Sequence, residues 1–377
     1  MNKFYDCIII GAGSMGSAAG YFLAKQGLQT LLIDAFDPPH TYGSHHGDTR
    51  IIRHAYGEGS NYVPLALRSQ QLWKELEHEA NRKLFEQTGV LCVGENNSSF
   101  IKEIEKSAHK YELPIELLDK KEISYRWKGM TPPEGYVGTF EPTSGVLYSE
   151  HCIREYVKLA ARYGGEILSN TSVEKIEVNE GNIKVQTKAQ TFHGQKLIIT
   201  AGAWGKKLFA QTGIDLPLTP TRKTVAWFNS EEKLFSADQF PAYSYTLPTG
   251  TYYGFPSFRG SGVKVGRHDG GDSVDPDNIN REFGAFPEDE GDLRSFLETN
   301  MPEAAGSLKK GSVCMYTLTP DEHFIVDHHP HNKNVIIAAG FSGHGFKFAS
   351  GIGEALSQMV TKQDTYIDMS MFSINRF

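Results

Sequence analysis

Residues 6–34 read DCIIIGAGSMGSAAGYFLAKQGLQTLLID. Tyr5 to Ile10 is a short continuous apolar run, the pattern of a strand buried on both faces. Gly11, Gly13 and Gly16 follow in a G-x-G-x-x-G turn, then a helical pattern that ends at Gly27. A second strand, Thr30 to Ile33, ends at Asp34. Strand, glycine turn, helix, strand and a closing acid form the order that binds a dinucleotide. Gly11 permits the tight turn, Gly13 lets a pyrophosphate reach the backbone, and Gly16 lets the helix pack on the strand. The free N–H groups of Ser14, Met15 and their neighbours at the helix start favour the phosphates. Asp34 can accept from ribose hydroxyls. The motif alone leaves the choice between FAD and NAD open.

Two later stretches repeat the strand-to-glycine pattern. Residues 196–204, KLIITAGAW, and residues 334–340, NVIIAAG, are apolar runs that end in small residues, and a helix is expected from about 351 to 360. Residues 164–180 fit a strand pair feeding the same unit. The expectation is α/β plus α+β. A Rossmann-type nucleotide domain is assembled from 1–85, 141–215 and 301–377, and a second, sheet-rich domain from 86–140 and 216–300. Within the latter, residues 252–256 and 263–268 flank an Arg-Gly-Ser-Gly turn and read as a hairpin. Period-two alternation sets Lys264, Gly266 and His268 on one face. The bare pattern favours a solvated surface there over a polar pocket wall.

The bulk numbers narrow the class. The chain has 377 residues and a net charge of −7, which favours neither nucleic acid nor an anionic membrane. No apolar run approaches the roughly 18 residues of a membrane span. The first residues lead straight into a strand, so cytoplasm is the expected compartment. Cys7, Cys92, Cys152 and Cys314 have no zinc spacing and no C-x-x-C pair. No metal is expected, and each thiol reads by itself as a small buried hydrophobe. Residues 43–58, GSHHGDTRIIRHAYGE, crowd His45, His46, Arg50, Arg53 and His54 into an otherwise acidic chain. Arginine grips carboxylates with two parallel bonds, so this is a candidate anion site. Residues 340–347, GFSGHGFK, place Lys347 beside glycines that allow a flat ligand close to the backbone.

The runs GAGSMG, DAFDPPHTYGSHHGDTRIIRHAYGEG, GTYYGFPSF, VCMYTLTPDEHFIVD and AAGFSGHGFK together resemble the monomeric sarcosine oxidase family. The resemblance extends along essentially the whole chain. It implies a glutathione-reductase-like FAD domain and kinship with N-methyltryptophan and pipecolate oxidases. By the same comparison Cys314 matches the cysteine that forms a thioether to the flavin 8α-methyl. Arg53 and Lys347 match the pair that holds the substrate carboxylate, and Lys264 a lysine linked with activating O2. Arg50 and His46 match residues packed near the flavin ring. Tyr253 and His268 match pocket residues near the amine, with Tyr316 a further pocket candidate. Gly343 and Gly345 belong to the ligand-facing turn, and Val173 resembles a backbone contact to the adenine end. The implied reaction converts sarcosine to glycine, formaldehyde and hydrogen peroxide in a monomeric enzyme.

One departure widens the reading. Ser244 stands where a bulkier apolar residue is expected, so larger N-alkyl amino acids, proline or pipecolate are alternative substrates. A flavin dehydrogenase with an acceptor other than O2 is a rival, which Lys264 disfavours. A non-catalytic flavin sensor is disfavoured by the Arg53/Lys347 pair, and an NAD-dependent dehydrogenase by the segmented nucleotide domain.

Overall fold

The computed structural model describes residues 3–179, 181–361 and 364–377. Strand β1 (Phe4–Ile10), helix α1 (Ser14–Lys25) and strand β2 (Thr30–Ile33) follow the expected order. β1 lies between β2 and Thr191–Ile199, parallel to both, with Cys7 opposite Thr30 on one side and Lys196 on the other. Glu166–Leu168 extends the sheet beyond β2, and Asn332–Ala339 extends it beyond Thr191–Ile199, again in parallel. The continuous apolar run of β1 has a physical cause, since both faces of the strand are covered. Cys7 and Ile9 pack among helical residues such as Ala18, Leu65, Ile153 and Ile352, while Ile8 and Ile10 pack with Phe209, Ile214 and Leu216. The closing helix, Ala349–Thr361, slightly exceeds the expected span. The stretch 164–180 does supply strands to this sheet, but not a pair. Glu166–Leu168 sits beside β2, whereas Val173–Asn179 pairs with Asn182–Thr187 at the opposite edge. The final residue of that stretch, Glu180, lies outside the described residues.

A second sheet of eight strands stands against the first unit. Its strands run in the order Leu308–Leu318, Thr219–Phe228, Val263–Arg267, Gly250–Phe255, Ala242–Leu247, Val90–Glu95, Tyr136–Glu141 and Glu116–Asp119. The expected hairpin is present, with Tyr253 opposite Gly266 and Phe255 opposite Lys264. The expected boundary at 301 does not follow the pairing. Leu308–Leu318 bonds along its length to Thr219–Phe228, so the cysteine strand belongs to the second sheet. Its apolar residues read equally well in either unit, and only the long-range ladder distinguishes them.

The two faces of this sheet differ. One carries Phe228, Tyr243, Tyr245, Tyr252, Val263 and Val265 and is covered by Leu293, Phe296 and Leu297 of the helix Glu288–Asn300. The other carries a cross-strand row of Ser312, Val225, Gly266, Tyr253, Ser244, Cys92 and Thr139. Lys264 and Cys314 lie two residues along their strands from members of that row, so they share its face. β3 (Thr49–Ile52) pairs with Gly145–Tyr148 in a small third sheet and carries the arginine-rich segment across this second face. Among the described residues no helix is long and apolar enough to cross a membrane.

Candidate active site

The glycine turn is built as its spacing predicts. Gly11 has φ +94°, and a Cβ there would lie 2.6 Å from Thr200 O. A Cβ on Gly16 would collide with Gly11 O at 1.8 Å, so α1 packs at backbone contact. A Cβ on Gly13 would meet only the His45 ring, at 3.5 Å, because that position faces a cavity. The cavity holds about 480 Å³ and is walled by Gly11, Gly13, Ser14, Met15, Asp34, Val173, Thr200 and Trp204 at one end. At the other end lie Arg50, Tyr316, Gly343, Gly345 and Phe346. Asp34 is already engaged: its carboxylate accepts from Ala12 N at 2.7 Å and Phe36 N at 2.9 Å. A carboxylate has about four acceptor sites, so these bonds orient Asp34 and leave capacity for a ribose.

The face expected to be solvated is buried at Lys264. Lys264 is 1% exposed, and its Nζ donates to Gly47 O at 2.5 Å and to Thr49 O and Oγ1 at 3.1 and 3.2 Å. Burial, followed by Arg50, pushes its pKa well below the usual lysine value. Sequence alternation ranks faces but cannot say which one another segment covers, and here residues 44–50 lie over it. His268 is half-buried with its pKa lowered to about 4, chiefly by burial. Its ring stands 5.7 Å from that of Tyr316, whose hydroxyl donates to Tyr253 at 3.4 Å. All four cysteines are buried free thiols. Burial raises the Cys314 pKa, while Arg50, Lys264, Lys223 and Arg281 act in the opposite direction. Four cations therefore surround this thiol within electrostatic reach.

Arg50 locks its own loop by donating to the carbonyls of Ser44, His46 and Thr49 at 2.8, 2.6 and 2.7 Å. His46 is buried, and its pKa falls to about 4 through burial and then Arg50. Arg53 and Lys347, 294 positions apart in sequence, meet around one ring. The Arg53 guanidinium lies 4.5 Å and the Lys347 Nζ 5.2 Å from the Tyr56 centroid. Lys347 donates to His344 O at 2.9 Å and Tyr56 Oη at 3.3 Å. Burial, reinforced by Arg53, lowers its pKa to about 7. The Arg53 fork holds an internal carboxylate, with Nη2 donating to both oxygens of Glu58 at 2.6 Å.

Tyr56 and Glu58 were not singled out from the sequence. Their signal lay at the end of a quoted run, where AYGEG follows the second arginine. Lys223 was also missed. Its buried ammonium donates to the carbonyls of His268, Asp269 and Gly270 at 2.7, 2.7 and 2.5 Å and so fixes the turn that carries His268. Ser244 stands opposite both Tyr253 and Cys92, and its hydroxyl faces the Cys92 thiol. Among the described residues no group of three His, Cys, Asp or Glu side chains is arranged to hold a metal.

The arrangement fits FAD in two ways beyond the turn itself. The cavity continues from the nucleotide end to the polar face of the second sheet, and the buried Nε2 atoms of His45 and His46 lack partners. A family model described as FAD dependent oxidoreductase matches residues 6–359. The chain belongs to that FAD-dependent oxidoreductase family. This oxidoreductase is 56% identical over 378 residues to monomeric sarcosine oxidase of Bacillus sp. (strain B-0618), covering 100% of this chain and 97% of that protein. It is 41% identical to N-methyl-L-tryptophan oxidase of Yersinia pestis (strain Pestoides F), covering 99% of each. Among solved structures, the fold matches L-proline dehydrogenase from P. horikoshii with a TM-score of 0.88 at 21% identity, covering 100% and 98% of the two chains. It also matches NikD, an amino acid oxidase of nikkomycin biosynthesis, with a TM-score of 0.86 at 20% identity, covering 98% and 97%.

Proposed function

We propose that this oxidoreductase oxidatively demethylates sarcosine, giving glycine, formaldehyde and hydrogen peroxide with O2 and water. The observation that carries the reading is the convergence of Arg53 and Lys347 on Tyr56, within electrostatic reach of His268. Two cations in a pocket lined by aromatic rings suit a small amino acid held by its carboxylate. Its 56% identity to a sarcosine oxidase over the whole chain supports the same substrate. When bound, FAD would supply two-electron redox chemistry, with the amine as hydride donor and O2, with a proton, as the acceptor that becomes hydrogen peroxide.

The residues divide the work. The substrate carboxylate replaces Glu58 on the Arg53 fork, and Lys347 grips its other oxygen. That grip fixes the N-methyl group toward the cavity, and positioning of this kind supplies much of the rate. His268, held neutral by burial, can accept a hydrogen bond from the substrate amine. Tyr316 and Tyr253 close the amine side. The carbonyls of Gly47 and Thr49 favour the charged form of Lys264 against burial, and that charge would stabilise the negative charge O2 takes up. Gly11, Gly13, Ser14, Met15, Asp34 and Val173 hold the nucleotide, while His46, Arg50, Gly343 and Gly345 hold the ring. Cys314 tethers the flavin through sulfur, and the surrounding cations partly offset the burial that disfavours its thiolate. The enzyme acts as a cytoplasmic monomer, and its lobes divide near residue 320 rather than 301.

Ser244 favours a second substrate range. A side chain this small beside Tyr253 leaves room for larger N-substituents. Peroxide release from a panel of sarcosine, N-ethylglycine, proline and pipecolate tests both readings. Sarcosine should be turned over with the highest kcat/KM, and no peroxide from any member would reject the assignment. Acid precipitation tests the tether. The wild-type pellet should stay yellow and the Cys314→Ala pellet should not.

A further inference from the structure

Glu141 lies in the interior, 3% exposed, at the end of Tyr136–Glu141 in the second sheet. A buried carboxylate is costly unless its oxygens are satisfied. One oxygen of Glu141 accepts from the consecutive backbone amides of His54 and Ala55, both at 3.0 Å. The other lies 2.5 Å from His54 Nδ1 and 3.5 Å from the Thr143 hydroxyl, which donates to it. Successive amides of an extended strand point in opposite directions. Two of them converging on one oxygen therefore mark a turn immediately after Arg53. That turn brings Ala55 O to 3.3 Å from Arg53 Nη1 and the Tyr56 ring under the guanidinium. Arg53, Ala55 and Glu141 also share the wall of a small second cavity with Val90 and Cys92.

We propose that Glu141 is a positioning residue, which holds the 53–55 turn so that the Arg53 guanidinium meets the substrate carboxylate. The proposal rests on Arg53 being the carboxylate clamp. Its carboxylate touches neither cofactor nor substrate, and it acts through the backbone of His54 and Ala55. His54 braces it from the second oxygen. Glutamine at 141 keeps one acceptor but presents an amide NH2 to a site built from donors, so the turn loosens.

The holoenzyme is titrated with acetate, a carboxylate without an amine, and binding is read from the flavin absorption spectrum. Glu141→Gln is measured in the native background and in Arg53→Lys. The expected result is an acetate Kd raised about tenfold by Glu141→Gln, the size of a loosened hydrogen bond to a charged group. In the Arg53→Lys background the same change should alter Kd less than about twofold, since coupled residues are non-additive. The sarcosine KM should rise with kcat nearly unchanged. Equal effects of Glu141→Gln in both backgrounds, or no effect in the native one, would overturn the positioning role while leaving the clamp intact. An Arg53→Lys enzyme that binds acetate like wild type would instead remove the clamp, and this proposal with it. If Glu141→Gln does not retain flavin, Glu141→Asp, which keeps the charge but draws it back from the amides, is read by the same criteria.

Discussion

Lys347 shows how one buried charge sets a pH dependence. Its pKa is lowered to about 7, by burial first and Arg53 second. The ammonium that grips a carboxylate is therefore fully present below pH 7 and is lost as pH rises through that value. Acetate binding by the holoenzyme should weaken as pH goes from 6 to 8, and Lys347→Met should flatten that slope. Arg53 keeps its charge throughout, because Glu58 holds its pKa above the ordinary value against the opposing effect of burial. In the proposed mechanism Lys264 belongs to the other half of the reaction. Its ammonium is held by Gly47 and Thr49 and is not aimed at the carboxylate clamp. Lys264→Met should slow flavin reoxidation by O2 by about 10²–10³-fold, the usual loss for one preorganised electrostatic group. Flavin reduction by sarcosine should change far less. Stopped-flow measurement of the two half-reactions checks both.

At the scale of the element, the strand Leu308–Leu318 and the turn after Asn332–Ala339 act together. Gly343 has φ +79°, and a Cβ there would lie 2.2 Å from the Tyr316 ring. Tyr316 cannot give way freely, since its neighbour Tyr253 is placed by a strand of the same sheet and its neighbour His268 by the turn that Lys223 holds. Gly343→Ala should therefore push Tyr316 into the cavity, lower flavin content at purification and raise the sarcosine KM. Flavin-to-protein absorbance ratio and initial rates measure this. A neutral result would mean that the turn, not the strand, accommodates the added methyl.

For the whole molecule, the cavity proposed to hold the flavin joins two separately cored units. One wall is the end of the parallel sheet and the other is the polar face of the eight-stranded sheet. A ligand that binds only the folded chain stabilises it by mass action. Cys314→Ala stripped of FAD should melt several degrees below the same variant reloaded with FAD, read by scanning calorimetry. Equal melting temperatures would place the cofactor outside this junction.

Much of this protein was legible in its sequence. Residues 6–34 dictate strand, turn, helix and strand through local rules, so the nucleotide end follows from glycine spacing and a doubly buried apolar run. The resemblance carried by the longer runs also brought Arg53, Lys347, Lys264 and Cys314 into view before any coordinates. Tertiary structure alone decided three matters. It assigned Leu308–Leu318 to the second sheet, because strand pairing depends on partners some 90 residues distant rather than on composition. It turned the Lys264 face from solvated to buried, because burial depends on which loop crosses a sheet. It also brought Glu58 and Glu141 to Arg53, the latter from 88 positions away. Neither acid carries a local motif, and a buried carboxylate is recognised only by the donors that the fold gathers around it.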